Sequence, residues 1–129
     1  MKNRGFTLVE LLGVISILAI IGAIVFPIVS NVINKGLDDT DNAQTKSIEK
    51  AAKNWANANM FSNDLPKCNT DICNSSISVS NLITEGYLDS DDIISPKTGE
   101  SYKCSSVKIT KDAINNKYSF DFQFQKCEN

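Results

Sequence analysis

The chain has 129 residues, a formal net charge of −2 and no histidine. Its length suits one domain with an appendage. The lack of histidine excludes His-based acid/base catalysis, Ser-His and Cys-His triads and most zinc enzyme sites. No nucleophile elbow or phosphate loop occurs, so we expect neither an enzyme nor a cofactor. Basic and aromatic residues do not cluster together, and no nucleic-acid surface is predicted.

The chain begins with a long apolar segment. Between residues 5 and 34 the only ionisable side chain is Glu10. As a helix, residues 6–27 would cover about 33 Å, close to the thickness of a bilayer core. Basic residues precede the segment and acidic residues follow it, which predicts a cytoplasmic N-terminus and an external C-terminus.

Three general interpretations of this segment compete. A cleaved secretory signal peptide is disfavoured by Glu10, which lies where such a peptide has no charge. A plain single-span anchor explains the length and the orientation but leaves Glu10 unexplained. A buried helix of a soluble protein is disfavoured by the unbroken apolar run.

The stretch KNRGFTLVELLGVISILAIIGAIVFP resembles the class III signal of type IV pilins and pseudopilins. The resemblance implies that a prepilin peptidase cuts between Gly5 and Phe6 and methylates the new amine of Phe6. It also implies that Glu10 receives the amine of a neighbouring subunit during filament assembly. Pro27, with Gly22 nearby, matches the helix-breaking proline of the family and predicts a kinked or opened helix.

The resemblance implies an α+β pilin fold, in which a long, kinked N-terminal helix packs on a small antiparallel β-sheet that ends in a C-terminal hairpin. Within the outer half of the helix, Ile48 and Trp55 lie on one apolar face and are predicted to pack against the sheet. The expected divisions are a leader peptide, a transmembrane or filament-core helix, an amphipathic outer helix and a globular domain: residues 1–5, 6–34, 35–61 and 62–129.

The region after the helix is interpreted from its turn and cap residues. FSNDLPKCNTDICNSS is predicted to be a loop. SVSNLITEG is predicted to be a short helix, capped by Ser78 or Ser80 and ended by Gly86. A loop with a turn at PKTG follows. Three aspartates of that loop are a weak calcium candidate, with a solvated acidic loop as the alternative: Asp89, Asp91 and Asp92.

The C-terminal region has the pattern of a β-hairpin. SYKCSSVKIT and KYSFDFQFQKC flank a turn predicted at Asn115-Asn116, and aromatic residues alternate with polar ones along the second strand. A turn at these residues would place Val107 opposite Phe124, so that one face of the hairpin is apolar.

The four cysteines, Cys68, Cys73, Cys104 and Cys127, all follow the apolar segment. An even number behind an export-type N-terminus favours disulfides over a zinc site. The predicted hairpin register places Cys104 opposite Cys127, near disulfide range, and Cys68 and Cys73 then remain for each other. Four cysteines allow three connectivities, so the other two stay open.

The resemblance implies a structural subunit of an extracellular type IV pilus that serves adhesion, twitching motility or biofilm formation. The expected partners are other pilin subunits in a homopolymeric filament, the prepilin peptidase/methyltransferase, an inner assembly platform and, before assembly, the cytoplasmic membrane. After assembly the subunit is expected in a pilus at the cell surface. One alternative is a pseudopilin of a type II secretion or DNA-uptake (competence) system, and only a competence filament would contact nucleic acid. A second alternative is a single-span membrane-anchored extracytoplasmic binding domain.

Overall fold

The computed structural model of the chain describes residues 5–59 and 72–128. The contacts divide the chain into two compact units, Met1–Leu37 and Asp38–Asn129. The chain is α+β, with two α-helices, a short 3-10 helix and three strands in the described residues. In chain order these are α1 (Leu8–Ala58), β1 (Ile72–Ser78), α2 (Val79–Thr84), the 3-10 turn (Ser90–Asp92), β2 (Ser106–Asp112) and β3 (Lys117–Gln123).

The part of α1 within the first unit is apolar and exposed. Every large hydrophobic side chain from Leu8 to Ile33 is between 45% and 81% exposed. The helix is long and apolar enough to cross a membrane, and none of its most apolar window is buried within the chain. Apolar area of this extent is unfavourable in water, so a lipid bilayer or other protein chains must cover it.

The helical assignment of α1 continues through Pro27. Proline has no backbone N–H, so the carbonyl of Ala23 does not receive the hydrogen bond that an interior helical residue would donate to it. Ser30 donates a side-chain hydrogen bond to the carbonyl of Phe26 at 3.1 Å in the next turn. The helix is therefore weakened at Pro27 although its residues keep helical geometry.

The hydrophobic core lies in the second unit. On α1, buried side chains recur at three- and four-residue spacing, which places them on one face of the helix: Ile48, Ala51, Ala52, Trp55 and Ala56. They form one cluster with residues of the sheet, α2 and the loops: Ile77, Val79, Leu82, Tyr102, Val107 and Ile109. The three small alanines allow the helix backbone to approach the sheet closely, while Ile48 and Trp55 fill the space between them.

The strands form an antiparallel sheet in the order β1-β2-β3. The prediction of a loop through ICNSS was wrong, because residues 72–78 pair with β2 along their length. The strand has serine and asparagine where an alternating apolar residue would be expected, and Ile77 is its one residue in the hydrophobic cluster of the described chain. Backbone pairing with the central strand, rather than a side-chain pattern, therefore accounts for β1.

The hairpin of β2 and β3 forms, but its predicted register was wrong by two residues, since Val107 lies opposite Phe122. The connection has four residues instead of two. The carboxylate of Asp112 accepts the backbone N–H of Asn115 at 3.3 Å and its side-chain amide at 2.6 Å. Asn116 has a φ of 48°, a left-handed conformation that asparagine tolerates well. An aspartate that closes the longer turn thus sets the register.

Two connections follow the cap chemistry predicted for them. Ser78 is the N-cap of α2, and its hydroxyl accepts the N–H of Asn81 at 3.2 Å. Gly86 follows the helix with a φ of 78°. In the PKTG turn, Gly99 has a φ of 72° and donates its N–H to the carbonyl of Ser95 at 2.8 Å. Gly86 and Gly99 are therefore both in the left-handed region, where a residue with a Cβ would be strained.

Strand β3 is an outer strand of the described sheet. The backbone N–H of Phe122 donates to Oε1 of Glu49, a side chain of α1, at 3.0 Å. A side chain of the helix therefore occupies a backbone donor on β3.

Candidate functional site

The first turn of α1 is closed by a reciprocal pair of side chains. The hydroxyl of Thr7 accepts the backbone N–H of Glu10 at 3.3 Å. Oε2 of Glu10 in turn accepts the backbone N–H of Thr7 at 2.8 Å and its hydroxyl at 2.9 Å. This is a capping box, in which two otherwise unpaired donors of a helix N-terminus are satisfied. The T-x-x-E spacing of TLVE is the sequence signature of this cap, which was not predicted.

Glu10 is an acid among exposed apolar side chains. Its neighbours on α1, Val9 and Leu11, are 75% and 60% exposed. At membrane depth an ionised carboxylate costs about 2.5–3.5 kcal/mol on insertion scales, and hydrogen bonds or an opposite charge reduce that cost. The donors of Thr7 supply part of this compensation, and a cation near Glu10 would supply the rest.

The Gly5–Phe6 peptide bond lies just outside the helix. Residues 5–7 are described without helix or strand, and Phe6 is 87% exposed. A side chain built at Gly5 would meet no atom within 4 Å in the part of the chain that the structure describes, and its φ does not require glycine. The glycine is therefore not needed for the packing of this chain, and the bond that follows it is accessible.

Gly22 and Pro27 lie within α1, and the helix is assigned without interruption at both. A Cβ at Gly22 would also meet no atom within 4 Å in the described chain. Small residues on an exposed helix face allow another helix to approach closely. The two residues thus mark a stretch of low helical propensity on an uncovered surface.

A cluster around Asp41 ties α1 to the loop before β2. Oδ1 of Asp41 accepts hydrogen bonds from the hydroxyl of Ser95 and from that of Tyr102, the latter at 2.5 Å. The bonds from Ser95 and Tyr102 lower the pKa of Asp41 below its ordinary value, burial opposes this, and Lys97 adds to the lowering. Asp38 lies about one helical turn before Asp41 on α1. Its Oδ1 atom forms an ion pair with Nζ of Lys97 at 2.6 Å.

Ile48 and Trp55 are both in the core of the second unit, with 0% and 6% exposure. Nε1 of Trp55 donates a hydrogen bond to Oε2 of Glu85, the C-cap residue of α2, at 2.7 Å. The indole therefore fills the space under the sheet and also fixes the short helix that follows β1.

A disulfide joins Cys104 to Cys127, with their Cα atoms 5.3 Å apart. Both residues lie beyond the paired part of the hairpin, so the disulfide closes the open end that the strand pairing leaves. Cys68, which was predicted to pair with Cys73, lies outside the described residues. The side chain of Cys73 lies outside them as well.

The calcium candidate lies around the 3-10 turn. Within residues 5–59 and 72–128, no group of three or more acidic, histidine or cysteine side chains is arranged to hold a metal ion. Asp89 and Asp91 are exposed there, and the side chain of Asp92 lies outside the described residues. The calcium candidate, which includes Asp92, therefore stays a prediction.

Residues 1–26 match the family described as "Prokaryotic N-terminal methylation motif". The match covers the Gly5–Phe6 bond, Glu10 and Gly22, and it ends one residue before Pro27. Comparison with curated proteins and comparison with solved structures each give no significant match.

Proposed function

We propose that this chain, whose residues 1–26 carry the N-terminal methylation motif of type IV pilins and pseudopilins, is the precursor of a structural subunit of a surface type IV pilus. The motif indicates a structural subunit rather than an enzyme. One observation carries the proposal furthest. Glu10 is the single acid among residues 8–33 of α1, which are exposed and largely apolar, and it lies just over one helical turn after an accessible Gly5–Phe6 bond.

The first step of the proposal is processing at the membrane. A prepilin peptidase cuts after Gly5 on the cytoplasmic side and methylates the amine of Phe6. Since nothing around Gly5 in the described chain requires a glycine, its role is best explained by recognition in the peptidase. The cut removes the two basic side chains of the leader and creates a cation at the helix N-terminus, and methylation leaves that amine charged.

The second step is docking of subunits through Glu10. The new amine and Glu10 of the same chain lie one turn apart, with the positive group N-terminal to the negative one. This order is the weaker one for pairing within a helix. An amine supplied by a neighbouring copy can instead approach the carboxylate from outside the helix. The charge of Glu10 thereby recruits the next subunit and limits where that subunit binds.

The third step is the transfer of the apolar helix from lipid to protein. In the membrane the bilayer covers the exposed side chains of α1, and in the filament other copies of α1 cover them. Assembly also requires an inner-membrane platform that moves the subunit out of the lipid. We propose that the weak stretch from Gly22 to Pro27 opens at this step, because it costs less to unwind than its neighbours.

The disulfide of the globular unit supports a position outside the cytoplasm. The Cys104–Cys127 disulfide is a device of proteins that persist in an oxidising exterior. It closes the C-terminal end of the hairpin, in the part of the chain that the fold family places on the outside of the filament.

Fractionation of cells that express the chain, with intact-mass analysis, tests this proposal. We expect abundant protein in the sheared surface fraction, with a mass equal to residues 6–129 plus one methyl group. Processed protein confined to the membrane fraction would favour a pseudopilin of a secretion or DNA-uptake system. Protein that keeps its first five residues while it is fully exported would overturn the filament proposal and favour an anchored binding domain.

A further inference from the structure

Two pairs of opposite charges bracket the uncharged part of α1 with the same four-residue spacing. After the proposed cleavage, the first pair is the amine of Phe6 and the carboxylate of Glu10. The second pair is Lys35 and Asp39. In each pair the positive group comes first and the negative group follows one helical turn later. No ionisable side chain lies between Glu10 and Lys35.

Extending the helical period of α1 two residues back from Leu8 places the two cations on one face. The separation of Phe6 and Lys35 is within a fraction of a residue of about eight turns of 3.6 residues. A second copy that contacts this face beside Phe6 therefore also meets it beside Lys35. Opening of the helix between these points would rotate Lys35 relative to Phe6, but it would leave the axial displacement between copies unchanged, because identical copies in a filament open alike.

Lys35 and Asp39 are both available to another molecule. Both side chains are exposed. Within residues 5–59 and 72–128 the ion pairs are Lys97–Asp38 and Lys126–Glu100, so neither Lys35 nor Asp39 is part of one. The adjacent Asp38 is held by Lys97 of its own chain, and Asp39 is therefore the acid that remains open to a partner.

We propose that Lys35 and Asp39 form a second contact between copies of this chain, in which Asp39 of one copy binds Lys35 of its neighbour. This inference rests on the proposed function, because the stagger comes from docking at Glu10. If Glu10 of one copy lies level with the amine of the next, parallel helices are displaced by one turn, about 6 Å along the axis. The same displacement brings Asp39 level with the neighbour's Lys35.

The second contact fixes register. A single charge pair near the N-termini leaves two apolar helices free to slide or swivel about it, because apolar packing has little directional preference. A second pair at the other end of the uncharged segment penalises both movements. Because it is exposed to solvent, it contributes modest affinity and is weakened by salt, so its main effect is on alignment.

Charge reversal tests the contact in cells. Lys35→Glu and Asp39→Lys should each lower the ratio of sheared filament to membrane-bound subunit about fivefold, the size expected for loss of an exposed ion pair and its replacement by repulsion. The double variant, which exchanges the charges, should restore the ratio to that of the native chain. Lys50→Glu is the matched control, since it makes the same charge change at an exposed lysine of the same helix, with no acid three or four residues before or after it.

Cross-linking identifies the partner atoms directly. Filaments grown from a mixture of isotopically light and heavy subunits are treated with a carbodiimide, which joins a carboxylate to an amine in contact. We expect peptides that link Asp39 of one isotope to Lys35 of the other. A link confined to peptides of one isotope places the contact within a single chain and overturns the inference.

The outcomes separate this inference from the function on which it rests. If the native chain forms filaments with methylated Phe6, but both single reversals behave like Lys50→Glu, the register contact is wrong and the pilus subunit stands. If the native chain forms no filaments, the proposed function fails and the contact fails with it.

Discussion

The carboxylate of Glu10 accepts a hydrogen bond from the backbone N–H of Thr7 at 2.8 Å. The single acid of the apolar segment is therefore also a cap of its own helix. This arrangement gives the carboxylate a partner in the precursor, before any amine exists at Phe6. During assembly a neighbour's amine either shares the carboxylate with Thr7 or displaces the cap. Glu10 thus couples the folding of the helix end to its proposed use as a docking point.

We expect Glu10→Gln to leave export and cleavage intact and to block filament growth. Glutamine keeps the size of the side chain and its ability to accept the Thr7 N–H, but it lacks the charge that attracts an amine. The measurement is the processed mass together with the amount of subunit in the sheared fraction. Ser16→Ala is the control, because it removes a polar side chain from the same segment that bonds only to Leu12 of its own helix. Normal filaments from the Gln variant would refute the role of the charge.

Loss of the Cys104–Cys127 disulfide should destabilise the globular unit. The disulfide closes a loop with a sequence separation of 23, for which the chain-entropy estimate is about 3 kcal/mol. Thermal unfolding of the detergent-solubilised full chain measures the effect when both residues are changed to serine together. Ser106→Ala, two residues after Cys104 and outside the disulfide, should unfold close to the native temperature. An unchanged midpoint for the double serine variant would mean that strand pairing alone holds the hairpin end.

The Asp41 cluster should make the stability of the second unit depend on pH. Because the pKa of Asp41 is lowered in the folded chain, its ionised form contributes stability above the ordinary value of about 3.9, and that contribution is lost as the pH falls through the lowered pKa. Asp41→Asn should therefore unfold at a lower temperature than the native chain near neutral pH, with the difference narrowing toward pH 2.

The control for this pH series is Asp91→Asn, which removes an exposed carboxylate from the 3-10 turn. Its unfolding temperature should stay parallel to that of the native chain across the series. The difference in unfolding temperature between the Asp41 variant and the native chain should change with pH. A difference that stays constant would mean that Asp41 stabilises the fold through its shape and not through its charge.

Trp55 should stabilise the globular unit more through the volume of its side chain than through its hydrogen bond. Trp55→Ala leaves a cavity beneath the sheet and should cost about 3–5 kcal/mol of unfolding free energy. Trp55→Phe keeps most of the ring and loses the bond to Glu85, which is worth about 1 kcal/mol. Chemical denaturation of the solubilised chain gives both values. Equal losses for the two variants would show that the hydrogen bond to α2 dominates.

The sequence predicted those parts of the molecule whose signals are local. The apolar segment, the caps at Ser78 and Gly86 and the apolar face that contains Ile48 each depend on residues within a few positions of one another. The hairpin itself was also predicted. Its register was not, because the choice between a two-residue and a four-residue turn depended on the carboxylate of Asp112.

Two further features could not be predicted from local patterns. Strand β1 lacks apolar alternation, and its pairing with β2 is set by the chain that surrounds it. The acceptor role of Asp41 depends on Ser95 and Tyr102, which are distant in sequence, so no spacing rule brings the three together. The Thr7–Glu10 cap is different, since its pattern was visible in TLVE and was overlooked.

The contact between Glu49 and Phe122 bears on how such a chain avoids the wrong kind of polymer. A subunit stored at high density offers two ways to grow: helix against helix, or sheet edge against sheet edge. The second leads to amyloid-like aggregates that do not come apart. By placing a helix carboxylate on a backbone donor of the outer strand, the chain makes edge-to-edge growth unfavourable at that point. If the proposed filament grows through α1, that growth therefore faces less competition from aggregation at the sheet edge.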